Sequence, residues 1–128
     1  MSVTPSPRTM LDKIWDAHVI RDLGNDWALL HIDRHVLHDL SGPIALDQLH
    51  SRDLTVRNPD LVFATPDHAV SSRPGRSATT YAPGGALWAR LQAGTARERI
   101  RFYDVGQRGQ GIVPVMRLRW RSRFPAPR

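Results

Sequence analysis

Two short stretches hold four of the six histidines in this sequence, the side chains best suited to move a proton near neutrality. The first is Leu30-His31-Ile32-Asp33-Arg34-His35-Val36-Leu37-His38-Asp39, and the second is Phe63-Ala64-Thr65-Pro66-Asp67-His68-Ala69-Val70. Each delivers an aspartate and a histidine from an apolar run into a connection, where side chains can meet a substrate. Asp67 and His68 form the best catalytic pair. An imidazole titrates near neutrality, and a carboxylate beside it can hold its orientation. Such a histidine can hand a proton to a departing hydroxyl, as hydration and dehydration require. The plainer alternative is a turn aspartate beside a surface histidine, since neighbours in sequence need not bring their side chains together.

His31, His35 and His38 would share one face of a continuous helix and could then hold zinc. The apolar strand before them and the Asp33-Arg34 connection interrupt such a helix, so no metal site is assigned. His38 and Asp39 read as a local polar pair with a structural use. The glycines from Gly106 to Gly111 match neither G-x-G-x-x-G nor a P-loop, which argues against a nucleotide site.

The elements that must position these residues follow from pattern. Thr9 with Asp12 three residues on has the spacing of a capping box, and Met10, Leu11, Ile14, Trp15 and Val19 recur at helical spacing. Gly24 and Asn25 end that helix. Trp27 to Ile32 then reads as a strand ending at Asp33. Ser41-Gly42-Pro43 starts a second helix continued by Ile44, Ala45, Leu46 and Leu49, with Pro43 in the first turn. Leu61 to Ala64 is a short strand after the Asn58-Pro59-Asp60 turn. Residues 71–83 form an exposed loop, Gly84 to Ala96 a helix buried through Leu87, Trp88 and Leu91, and Ile100 to Val105 a third strand. Trp15, Trp27 and Trp88 are expected in or beside the core. Helices alternating with strands predict an α/β fold, a layered sheet with flanking helices and parallel neighbours.

Length and composition set the limits. The 128 residues fit one domain, read as 9–116 between a flexible segment 1–8 and a basic, disordered tail 117–128. The net charge of +6 is concentrated in that tail, which has five arginines and no acid, so the body is nearly neutral. A neutral body with a basic end argues against a nucleic-acid partner. No apolar run approaches a membrane span, and Met1 to Arg8 does not resemble a secretory signal. There is no cysteine, hence no disulfide or thiolate nucleophile. These features together fit a cytoplasmic protein.

The Asp33-Arg34-His35 segment, the Ala64-Thr65-Pro66-Asp67-His68 segment and Gln110-Gly111-Ile112-Val113 together resemble the start of the 3-isopropylmalate dehydratase large subunits of the aconitase superfamily. The resemblance covers approximately Thr9 to Met116. It implies part of the first domain of the aconitase fold, truncated. It also implies a hydro-lyase that isomerises 2-isopropylmalate to 3-isopropylmalate in leucine biosynthesis, with a [4Fe-4S] cluster acting as Lewis acid and a separate small subunit completing the site. By the same carry-over His68 would be the proton donor and Asp67 its partner toward a small hydroxy-carboxylate, with Asp33, Arg34 and His35 in a supporting segment.

Three departures stand out. The family's Gln-Gly-Ile-Val-His continues here with Pro114, which removes a titratable ring and would disturb a strand. Ile44 replaces the glutamine of a Thr-Ser-Pro-Gln-Ala motif. The family's cluster is held by cysteines, which this chain lacks. The change of composition after Met116 fits a reading-frame change, a natural truncation or a real divergence. The expectation is therefore a dehydratase-like fragment that is inactive alone. The alternatives are a non-catalytic module binding a partner or a carboxylate, and an RNA-binding protein using the arginine-rich tail with Trp120 and Phe124 as stacking groups.

Overall fold

Where a strand leaves a sheet decides what its last side chains can reach, and here the chain does this twice in parallel. A computed structural model describes residues 7–120, and of residues 117–120 the backbone alone. Its contacts divide the chain between Asp33 and Arg34 into two units, within what the sequence reads as one domain.

The first unit is a helix followed by a hairpin. Helix α1 spans Met10–His18. The Thr9 hydroxyl accepts the Asp12 N–H, and the Asp12 carboxylate accepts the Thr9 N–H, closing the expected capping box. These bonds to Thr9 hold the Asp12 carboxyl below its ordinary value. Strands β1 (Val19–Gly24) and β2 (Trp27–Leu30) pair antiparallel, with Gly24 opposite Trp27. Asn25 and Asp26, at φ of 50° and 62°, make the two-residue turn, in which both central residues take the left-handed conformation.

Two expectations need correction in this unit. Gly24 and Asn25 do not end the helix, which stops at His18; they end β1, a strand the sequence reading missed. Val19 and Ile20 are β-branched and favour extended backbone, yet Val19 also continues the apolar face of α1 at helical spacing, which hid the change. Trp15 and Trp27 are not core residues, being 46% and 73% exposed, and α1 buries no residue.

The second unit carries the parallel sheet. Strands β3 (His35–His38), β4 (Val62–Thr65) and β5 (Arg101–Phe102) lie in the order β3-β4-β5, all parallel. The crossovers are α2 (Ser41–Ser51) and α3 (Ala82–Arg97). Leu37, Leu46, Ala64, Leu91 and Ile100 form one buried cluster, which places α2 and α3 on the same face of the sheet. Phe63, one residue from Ala64 and so on the other face, packs with Met116 of α4 (Val113–Trp120). Helices on both faces are what a short parallel sheet needs to bury both sides. The expected α/β architecture, its parallel strands and both crossover helices are present.

The helices approach each other closely because glycine permits it. A Cβ on Gly94 of α3 would lie 2.9 Å from Leu46 Cδ1, and one on Gly42 of α2 would lie 2.9 Å from Leu91 Cδ1. Trp88 is half-buried and donates its indole N–H to Asp104 at 2.8 Å. The segment after Val113 is not a strand for Pro114 to disturb. It is a helix, and Pro114 sits in its first turn, where a missing N–H costs little. Helix α4 runs to Trp120, into the segment expected to be disordered; residues 121–128 lie outside the described residues.

Candidate functional site

Register puts the site at one edge of the sheet. His38 and Thr65 are paired at the ends of β3 and β4, so Asp39 and Pro66-Asp67-His68 leave the sheet side by side. The carboxyl ends of adjacent parallel strands are where open α/β sheets hold ligands.

Asp39 is fully buried and organises the neighbouring loop. Its Oδ1 accepts the backbone N–H groups of Asp67 at 3.1 Å and His68 at 2.9 Å, and its Oδ2 accepts that of Ala69 at 2.7 Å. Burial pushes the Asp39 carboxyl up, but the amides of His68, Ala69 and Asp67 and its own amide outweigh this. The carboxyl is held below its ordinary value. The loop backbone is closed from the other side by α3. A Cβ on Gly84 would lie 1.7 Å from the Ala69 carbonyl oxygen, so only glycine fits there.

On this backbone the Asp67 and His68 side chains do meet. The Asp67 Oδ1 contacts His68 Nδ1 within hydrogen-bond range, and the Asp67 Oδ2 accepts the Val113 N–H at 2.9 Å. The Asp67 carboxylate therefore caps the start of α4, whose dipole favours a negative charge there. Its side chain is 3% exposed while that of His68 is 48% exposed. An imidazole that gives Nδ1–H to a buried carboxylate keeps Nε2 as its working nitrogen. Among the described residues no hydrogen bond uses the His68 Nε2.

Sequence reasoning missed two contributors. Gln110 donates its amide to the Pro66 carbonyl at 3.0 Å and accepts from Arg76 at 3.3 Å, tying the glycine-rich connection to the strand end. His38, read as structural, stacks its ring on that of His68, with centroids 4.2 Å apart and planes 24° from parallel. His38 Nδ1 accepts the Leu40 N–H at 3.2 Å, and its Nε2 lies 3.2 Å from the Ser41 hydroxyl. Neither role could be read from spacing, because the His38–His68 stack depends on the β3–β4 register and the Gln110 bond on a loop that returns to Pro66.

His38, Asp39, Asp67 and His68 offer donor atoms within 4.8 Å of one another. Their lone pairs are committed to Leu40, to the loop amides and to Val113, leaving His68 Nε2 as the outward group. The constellation suits proton transfer better than a metal cage.

The residues read as supporting are Asp33, Arg34 and His35. His35 is exposed at the opposite end of β3, and Arg34 precedes it. Asp33 ends the first unit, its Oδ2 3.8 Å from His18 Nε2. Ile44 is exposed on the first turn of α2.

The arrangement has known relatives. The model of the aconitase family (aconitate hydratase) matches residues 12–121. This chain belongs to the aconitase family. Within that family it is 53% identical over 109 residues to 3-isopropylmalate dehydratase large subunit 1 of Bradyrhizobium diazoefficiens, covering 85% of this chain and 23% of that protein. It is 36% identical to the 3-isopropylmalate dehydratase large subunits of a Picosynechococcus species and of Roseiflexus castenholzii. Those matches cover 87% and 86% of this chain and 24% of each relative. The chain thus spans about a quarter of the length of these relatives. No solved structure matches. The aconitase-family match extends five residues beyond Met116, where the change of composition had suggested that the resemblance stops. No helix among the described residues is long and apolar enough to cross a membrane.

Proposed function

We propose that this chain supplies the Asp67–His68 proton-transfer pair of a 3-isopropylmalate dehydratase large subunit, acting on a small hydroxy-carboxylate together with a small subunit. The observation that carries the reading is the pair itself: a buried carboxylate at the Nδ1 of a half-exposed imidazole, at the ends of two parallel strands. Similarity to three large subunits of that name supports the substrate class.

The chain's own part in a dehydration is a proton transfer. Protonated His68 gives the Nε2 proton to the departing hydroxyl, while Asp67 keeps the Nδ1–H in place and stabilises the charged ring. The neutral ring that remains can take a proton back from water in the rehydration step. A [4Fe-4S] cluster is commonly bound through cysteine thiolates, and this chain has no cysteine. The residues present do not fit that group, and no step here passes through it.

A second reading, a module that binds the carboxylate without turning it over, is favoured by Pro114 and Ile44 standing where the family pattern has histidine and glutamine. Titrating the histidine-labelled chain with 2-isopropylmalate tests binding at this edge. The proposal expects the His68 ring signals to move saturably and those of His50, on α2, to stay still. Signals of both that move together, or not at all, count against a site here.

A further inference from the structure

We propose that His38 is a positioning residue for His68: it fixes the plane of the His68 ring and stays neutral, so that the mobile proton belongs to His68. The inference rests on the proton-transfer reading of His68 for its purpose, but its geometry and its test do not.

The argument starts from the contacts of His38. Its Nδ1 receives the Leu40 N–H. A nitrogen that accepts a hydrogen bond carries no proton, so the neutral ring bears its hydrogen on Nε2 and gives it to the Ser41 hydroxyl. Protonating Nδ1 would set an N–H against an N–H and break the bond to Leu40. Because Leu40 caps α2, that amide cannot turn away without disturbing the start of the helix.

His68 has the opposite surroundings. Its Nδ1 faces the Asp67 carboxylate, and among the described residues no hydrogen bond uses its Nε2. The titratable groups gathered around it are Asp67 on its own loop and His38 and Asp39 at the end of β3. Two stacked rings 4.2 Å apart repel each other when both are charged. One proton can therefore be held comfortably by the pair, and the neighbours of each ring direct it to His68.

The stack also limits rotation. Half-exposed, His68 has solvent on one side, and the His38 ring bounds the other. Asp39, the next residue, holds the His68 backbone. Consecutive residues at the end of β3 thus control the main chain and the ring of the same histidine.

Nitrogen-15 histidine spectra of the full chain between pH 5 and 8 read both tautomers directly. The expected wild-type result is that His68 becomes imidazolium while His38 remains the Nε2–H neutral form. His38→Phe keeps an aromatic face, and should keep His68 in a single Nδ1–H tautomer. His38→Ala should free the ring to turn away from Asp67, with signals of both tautomers then averaging. If His38 takes the first proton, or if His68 reports the same tautomer and the same titration in the alanine variant as in the wild type, the inference is overturned. Should the alanine variant lose its folded amide spectrum, the wild-type protonation order and the phenylalanine variant decide alone. A failure here with intact 2-isopropylmalate binding at His68 would reject His38's role and leave the proposed function standing.

Discussion

Asp39 accepts the His68 amide at 2.9 Å across the ends of two parallel strands, so the residue that holds the catalytic candidate lies 29 positions before it in the chain. The same carboxylate holds the amides on either side. Removing it strands three N–H groups in a closed loop.

Asp39→Ala should therefore destabilise the second unit by about 3–5 kcal/mol, since each orphaned buried donor costs roughly 1–3 kcal/mol and the losses overlap. Asp39→Asn keeps one acceptor oxygen and should lose about half as much. Urea melts followed by the Trp88 indole N–H signal in nitrogen-15 spectra measure both. Equal stability of wild type and Asp39→Ala would show that these bonds contribute nothing.

The acid side of the stability profile has a fixed sign. The folded-state pKa of Asp39 is depressed below its ordinary value of 3.8. Its contribution is fully present above the unfolded value, declines as the pH falls below it, and is gone once the folded value has been passed. Melts of the wild type between pH 6 and 2 should thus show a loss of stability below about pH 4 that Asp39→Asn reduces. Parallel profiles for the two proteins would assign the loss to other carboxylates.

Gly84→Ala should shift the site without touching its side chains. The new methyl carbon would fall 1.7 Å from the Ala69 carbonyl, which is backbone and has to move. A cost of about 1–3 kcal/mol is expected for such overpacking, together with displaced amide signals at His68 and Ala69. Unchanged amide signals there would mean that α3 gives way instead.

Leu46→Ala tests the packing between α2 and the sheet. Leu46 is 1% exposed and lies in the cluster with Leu37, Ala64, Leu91 and Ile100. Its truncation should cost about 2–5 kcal/mol. Ile44→Ala, on the exposed side of the same helix, should stay within about 0.5 kcal/mol. Similar losses at both positions would contradict the assignment of the buried face.

Legibility in the sequence followed locality. The capping box of Thr9 and Asp12, the start of α2 at Ser41-Gly42-Pro43 and the strand before Asp67 all depend on neighbouring residues, and the pattern shows them. Adjacency named Asp67 and His68 as a pair but left open whether their side chains meet, which they do. The β1–β2 hairpin was hidden because Val19, its first residue, extends the helical spacing of α1. The roles of His38, Asp39 and Gln110 come from strand register and from a loop that returns to Pro66, contacts between residues about 30 to 44 positions apart. A one-dimensional pattern carries no sign of these, and Pro114 was misjudged for the same reason: its cost depends on whether it meets a strand or the first turn of a helix.

The most direct test of the proton-transfer reading places the 109 matched residues of this chain, carrying Pro114→His, into the 3-isopropylmalate dehydratase large subunit 1 of Bradyrhizobium diazoefficiens, with its small subunit. Turnover of 2-isopropylmalate is compared with and without His68→Asn. The account predicts that the substitution lowers kcat by about 10²–10⁴-fold with the fold intact. A His68→Asn chimera that turns over within about threefold of its parent would contradict it.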